Sequence, residues 1–180
     1  MLKWFIRRRL AAFERKFGYD VSYARAILDA DLKAFFAMAR VGGMGEYRRD
    51  VPREVYWGAR LQGSLAEDCG PCTQLNVTMA LADGARPATI AAVLSDAPDV
   101  PEDVRLGVRF ARAAIAHDPA ADELREEVEK RWGKRAVVSL SFAIATARLY
   151  PTLKYAMGYG KTCQRVVVGD ASVVVARTAA

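Results

Sequence analysis

An all-α fold is what this sequence predicts: a compact helical bundle, preceded by an amphipathic helical arm and followed by a short β-hairpin. Three observations carry that reading. Apolar residues recur at helical spacing along most of the 180 residues. Glycines, prolines and small polar residues fall where such segments start and stop. Only near the end does the pattern change, to two short valine-rich runs about a Gly-Asp pair. The boundaries that follow are residues 1–20 for the arm, 21–160 for the bundle and 161–180 for the hairpin and tail.

The arm spaces Leu2, Ile6, Leu10, Phe13 and Phe17 as one helical face, with Arg7, Arg8, Arg15 and Lys16 elsewhere on the wheel, and Gly18 stops it. Asp20 or Ser22 can cap a second helix over 22–40, whose apolar side includes Ala24, Ile27, Leu28, Leu32, Phe35 and Phe36. The run Val41-Gly42-Gly43-Met44-Gly45 is expected to break it. Asp50 is placed to cap the next helix, which starts at Pro52 and passes through Val55, Tyr56, Ala59, Leu61 and Leu65. Helices are then expected from Pro71 to Ala82, over 87–95, from Pro101 to His117 and from Ala120 to Trp132. The most apolar one runs over 134–150, where Pro151 is expected to kink or restart it. The tail, from Val166 to Val175, reads as two β runs that need the helices or another subunit to pack on.

Composition bounds the class. A hydrophobic share of 52% with 27% charged residues fits a globular chain long enough for a real core. The longest uncharged apolar stretch, between Arg135 and Arg148, holds Ser139, Ser141 and Thr146. It is shorter than a bilayer span and reads as a buried helix. The start, Met1 to Arg9, lacks the apolar block of a secretory signal, which leaves a cytoplasmic location as the expectation. Three cysteines, an odd number, speak against a structural disulfide framework. The net charge of +6 divides into +6 over residues 1–60, −6 over 61–132 and +6 over 133–180. Such a division can pair subunits or layers, and no basic run interleaved with aromatics points to nucleic acid.

The chemical signal is Cys69-Gly70-Pro71-Cys72. With Asp68 as cap and Pro71 in the first turn, both cysteines are expected at a helix N-terminus, where the dipole favours a thiolate. A separation of three residues puts both sulfurs on one side of that turn, in reach of a disulfide. Asn76 lies one turn beyond Cys72 on the same side. Glu67 and Asp68 precede the pair and can move protons, or raise the thiol pKa by repulsion. The flanking Glu-Asp and Gly-Pro predict an exposed turn. Buried, inert cysteines are one competing reading; half a zinc site is the other, yet only Cys163 and His117 are left to complete one. No metal or cofactor is therefore expected.

The tetrapeptide resembles that of thioredoxins, but thioredoxins reach it from a buried strand, and residues 52–66 read as helix. A helix leading to Cys-x-x-Cys at the start of the next helix is similar to the alkylhydroperoxidase D and carboxymuconolactone decarboxylase family. The likeness is clearest over residues 50–95. It implies an alkylhydroperoxidase-like bundle, an oligomer, and Cys69 and Cys72 as the redox pair. Peroxidatic members of that family carry a histidine four residues after the second cysteine, where this chain has Asn76. Some have a histidine between the cysteines, where Gly70-Pro71 stands. Their upstream glutamate corresponds to Trp57, with Glu54 and Glu67 the nearest acids. The resemblance thus implies a thiol–disulfide oxidoreductase or antioxidant protein working on a redox partner protein or a small hydroperoxide. Cys69, Cys72, Glu67 and Asn76 form its site. The alternative is a redox sensor or scaffold with a degenerate site.

The remaining features have plainer readings. His117 sits where its helix ends and interacts with the last carbonyls. Cys163 can serve as a resolving thiol or simply pack before the hairpin. Tyr150, Tyr155 and Tyr159 with Met157 can line a pocket or pack in a core. The arm, with Trp4, Phe5 and its arginines, can lie on an anionic membrane surface. Docking on its own domain or a neighbouring subunit is the commoner use of such a helix.

Overall fold

In the computed structural model, which describes residues 1–160 and 165–175, helices fold around one central helix and a hairpin closes one side. The candidate resolving thiol Cys163 lies outside the described residues. The helices are α1 (Leu2–Phe17), α2 (Ser22–Ala30), α3 (Leu32–Glu46), α4 (Arg53–Ala66), α5 (Gly70–Ala82), α6 (Pro87–Ser95), α7 (Glu102–Ala116), α8 (Ala120–Trp132) and α9 (Lys134–Ala156). Strands β1 (Arg165–Val168) and β2 (Ala171–Val174) pair antiparallel, with Val166 opposite Val173. The all-α bundle with a terminal hairpin is thus the observed fold.

The central helix is α4, with every residue from Val55 to Ser64 buried. It packs chiefly on α7 and α9. Two glycines let the backbones meet. A Cβ on Gly63 would stand 2.8 Å from the Ile144 carbonyl oxygen and from the Ala147 Cβ, and one on Gly107 2.7 Å from Val55 Cγ1. Leu61, Val77, Ile90, Leu106 and Leu140 fill the surrounding core. The hairpin joins this core through Val166 and Val168. Gln74 of α5 fixes it by offering its amide as a strand would: Nε2 donates to Val167 O at 3.0 Å, and Oε1 accepts from Val167 N at 2.8 Å.

A second core forms where α1 folds on α2 and α3. Ile6, Tyr19, Val21, Tyr23, Ala24, Leu28 and Phe35 are its buried members. Leu75 of α5 and Leu153 of α9 line the side that faces the rest of the chain.

Three local expectations are corrected. The helix expected over 22–40 is two helices, broken at Asp31, whose extended backbone lets its carboxylate accept from Lys33 N at 2.8 Å as the cap of α3. The glycines at 42, 43 and 45 do not end α3, because the Gly45 carbonyl is held by Tyr56 and Arg60 of α4. Asp50 does not cap α4. It adopts φ 59° and pairs with Arg135 at 2.6 Å, which leaves Pro52 at the cap position. The helix that carries Pro151 does continue beyond it: α9 runs from Lys134 to Ala156 with Pro151 inside and buried. By length and composition α9 could therefore cross a membrane, although 44% of its most apolar window is buried inside the fold.

Candidate functional site

The two cysteines sit at the junction of α4 and α5, on the seam between the cores. After α4 ends, Asp68 turns the chain in the left-handed region at φ 47°. An aspartate tolerates that region better than most residues. Asp68 therefore does not cap α5: the cap position is Cys69, whose carbonyl accepts from Thr73 N at 2.9 Å. Pro71 occupies the first turn, where its missing N–H costs nothing. Cys72 follows in the same turn, its Cα 5.3 Å from that of Cys69, and the two are joined as a disulfide.

The turn is not exposed, contrary to the expectation from its flanks. Cys69 is 1% and Cys72 4% exposed. The reason lies in distant segments. Tyr19, from the turn between α1 and α2, places its hydroxyl 3.7 Å from Cys72 Sγ. Tyr155, from the end of α9, donates to the Asp68 carbonyl at 3.0 Å. Together they fold aromatic side chains around both ends of the pair.

Behind Tyr19 stands Lys154 of α9, only 3% exposed. Its ammonium donates to the Tyr19 hydroxyl at 3.4 Å and lies 4.7 Å from the centre of the Tyr19 ring and 5.5 Å from that of Tyr23. An ammonium has donors and no acceptor, so the Tyr19 oxygen accepts from it. A disulfide sulfur carries no hydrogen, so in the Tyr19–Cys72 contact the phenol donates. Tyr19 thus receives from Lys154, and its single proton faces two acceptors, Cys72 Sγ and the Tyr23 oxygen. Burial, then the neighbouring Tyr23, raises the Tyr19 phenol far above its ordinary value, which keeps that proton in place. Burial likewise pushes Tyr23 up to about 12.

The other expected site residues are held elsewhere. The Glu67 carboxylate accepts from Arg148 Nε at 2.7 Å and from Thr152 Oγ1 at 3.2 Å, so among the described residues its hydrogen bonds go to α9 and not to Cys69 or Cys72. Asn76 is buried one turn beyond Cys72, where its Oδ1 accepts from Arg60 Nε at 2.9 Å. Arg60, itself 8% exposed, also donates to Tyr56 and Thr146, both at 3.2 Å. Trp57 does not face the cysteines but donates to Asp83 at 2.8 Å. Glu54 pairs with Arg86. His117 is exposed and ends α7 in the left-handed region through its backbone N–H.

Tyr19, Lys154 and Arg60 are the site residues that sequence reasoning missed. They come from three separate segments and share no spacing with the cysteines. The one available signal was Lys154 itself, a cation among the tyrosines at 150, 155 and 159. Among the described residues no group of three or more His, Cys, Asp or Glu stands where it could hold a metal ion. An open cleft of about 390 Å³ lies at the far end of α4, between Pro52, Glu54, Arg86 and Asp103, and no residue of the cysteine site lines it.

No family model, no curated protein sequence and no solved structure matches this chain.

Proposed function

We propose that the chain is a thiol–disulfide exchange protein in which Cys72 is the sulfur that carries charge when the pair is reduced. The observation that carries this reading is the Tyr19 hydroxyl against Cys72, backed by the buried Lys154 ammonium. A thiolate leaving group needs a hydrogen-bond donor and a nearby positive charge, and Cys72 has both, in addition to the first turn of α5.

The exchange then runs in two steps. A thiolate of a partner dithiol attacks Cys69 Sγ, forming a mixed disulfide. The Cys69–Cys72 bond breaks and its electron pair goes to Cys72 Sγ, where Tyr19 donates its hydrogen bond. The partner's second thiolate attacks the partner sulfur of the mixed disulfide, and Cys69 leaves and takes a proton from water. The chain's disulfide is reduced and the partner dithiol is oxidised to a disulfide. The alkylhydroperoxidase D likeness joins this proposal on the strength of a Cys-x-x-Cys opening the helix after α4. Peroxide turnover fits less well, because Asn76 cannot relay a proton as a histidine does and its oxygen is occupied by Arg60.

Burial of both sulfurs favours a second reading, that of a redox sensor whose reduction changes binding with no turnover. One set of measurements separates them. Equilibration against glutathione and turnover of a model protein disulfide should give a defined potential and a rate. Cys69→Ser and Cys72→Ser should each abolish the rate. A reversible pair with no turnover supports the sensor, and a pair that stays oxidised in the folded protein removes both readings.

A further inference from the structure

The arm helix α1 has two faces, and the fold uses only one. Ile6, Leu10, Phe13 and Phe17 turn inward and join the second core. On the opposite side of the wheel lie Trp4, Arg8, Ala12 and Arg15, with Phe5 and Lys16 at its edge and the Lys16 ammonium over the Phe17 ring. Trp4 is 54% and Phe5 57% exposed, packed edge to face on one another at 4.8 Å. Neither ring contributes to a core.

The charge on that face is of one sign. Glu14 is the acid within α1, and Arg25 of α2 neutralises it. Arg7 is taken by Asp29. Arg8, Arg9, Arg15 and Lys16 pair with no carboxylate among the described residues, and Arg8 lies over the Trp4 ring at 4.8 Å. An exposed indole and phenyl beside four unpaired cations match an anionic lipid surface at two depths. Rings of that kind enter the boundary between headgroups and acyl chains, while guanidinium and ammonium groups meet lipid phosphates. A single-stranded nucleic acid would stack its bases on open ring faces, whereas Arg8 lies over the Trp4 ring and Phe5 meets that ring edge to face.

We propose that the outward face of α1 docks the protein on an anionic membrane surface, with Trp4 and Phe5 inserted, Arg8 and Arg15 on the phosphates, and Arg9 and Lys16 adding positive charge at its edges. The inward face keeps α1 anchored to α2, so docking needs no unfolding. This proposal does not depend on the chemistry of the cysteine pair.

The test is co-sedimentation of the full chain with vesicles of phosphatidylcholine alone, or with roughly one-third phosphatidylglycerol, for which an affinity gain of at least about tenfold is expected. Trp4→Ala with Phe5→Ala should remove most of the binding, and Arg8→Glu with Arg9→Glu should remove the preference for anionic vesicles. These side chains touch neither core, so circular dichroism should be unchanged. A readout on the unaltered protein guards against a misfolded variant: tryptophan emission should shift to the blue on anionic vesicles, and Trp4→Phe should abolish the shift. Equal affinity for both vesicles would overturn the proposal. So would a concentration-dependent dimer that Trp4→Ala dissolves while no vesicle binds. Binding to a single-stranded oligonucleotide that ignores Trp4 and Phe5, without vesicle binding, would also overturn it.

Discussion

The core around α4 and the core of α1 to α3 are built from different residues. The first is mainly aliphatic, with Leu61, Val77, Ile90, Leu106 and Leu140 interlocked and glycines bringing helix backbones together. The second is aromatic, with Phe13 stacked against Phe17 and Tyr19, and Tyr19 against Tyr23. Aliphatic packing of the first kind fixes backbone geometry, because a displaced methyl group finds no other place. Aromatic packing of the second kind also offers hydroxyl groups and ring faces, which can hold a buried cation. The disulfide lies on the seam and draws on both. The α4 core sets the turn that presents it, and the aromatic core supplies Tyr19 and, over its rings, Lys154.

The largest effects should come from truncating each core. Leu61 and Leu28 are both fully buried, one in each. Leu61→Ala should cost about 3 kcal/mol, visible as global loss of stability in denaturant. Leu28→Ala should cost a similar amount, but native-state hydrogen exchange should show it in α1 to α3 ahead of α4 and α7. Uniform loss of protection in both variants would make the two cores one cooperative unit and erase the distinction.

Next in size is the charge behind Tyr19. Lys154→Met should disfavour the reduced form and lower the redox potential by about 30 mV, the equivalent of roughly 1.4 kcal/mol. Lys154→Arg should recover part of it. An unchanged potential would confine Lys154 to packing.

A smaller effect is expected at the turn. Tyr155→Phe removes the hydrogen bond to the Asp68 carbonyl and should speed reduction by about threefold, as a net hydrogen bond of roughly 0.7 kcal/mol gives. A rate equal to that of the unaltered protein would mean that attack on Cys69 does not need this turn to open.

The smallest effect belongs to the surface of the α4 core. The side-chain hydrogen bond from Arg86 lowers the Glu54 carboxyl below its ordinary value, outweighing the opposing effect of burial. A lowered carboxyl contributes stability above its unfolded pKa and loses it as pH falls through the folded value. The stability gap between the unaltered protein and Glu54→Gln should therefore narrow on acidification below the usual carboxylate range. A gap independent of pH would remove Arg86 from this account.

The two regions also differed in how legible they were. The α4 core could be read from the chain, because its helices carry regular apolar spacing and local start and stop signals such as Pro71 and Asp83-Gly84. The Asp31 break was hidden, since its apolar pattern continues across it and only the capping carboxylate decides. The continuation of α9 past Pro151 was legible from the apolar spacing on both sides of the proline, and tertiary packing buries the ring there. At the site the cysteines and Asn76 were legible as a motif. Their burial was not, because Tyr19, Tyr155, Lys154 and Arg60 arrive from distant positions on both sides of Cys69 and follow no shared pattern.

The most direct test of the account is the thiol pKa of each cysteine taken singly, followed as thiolate absorbance against pH. Cys163→Ser should be the background, with either Cys69→Ser or Cys72→Ser added. Tyr19 touches the Cys72 sulfur, and among the described residues the charged and titratable groups that act on Tyr19 are Lys154, Tyr23, Asp20 and Tyr150. The account predicts that the variant retaining Cys72 titrates well below the ordinary cysteine value of about 8.5, and that adding Tyr19→Phe raises it. A Cys72 that titrates at or above that value, with Tyr19→Phe making no difference, would contradict the assignment of Cys72 as the charged sulfur.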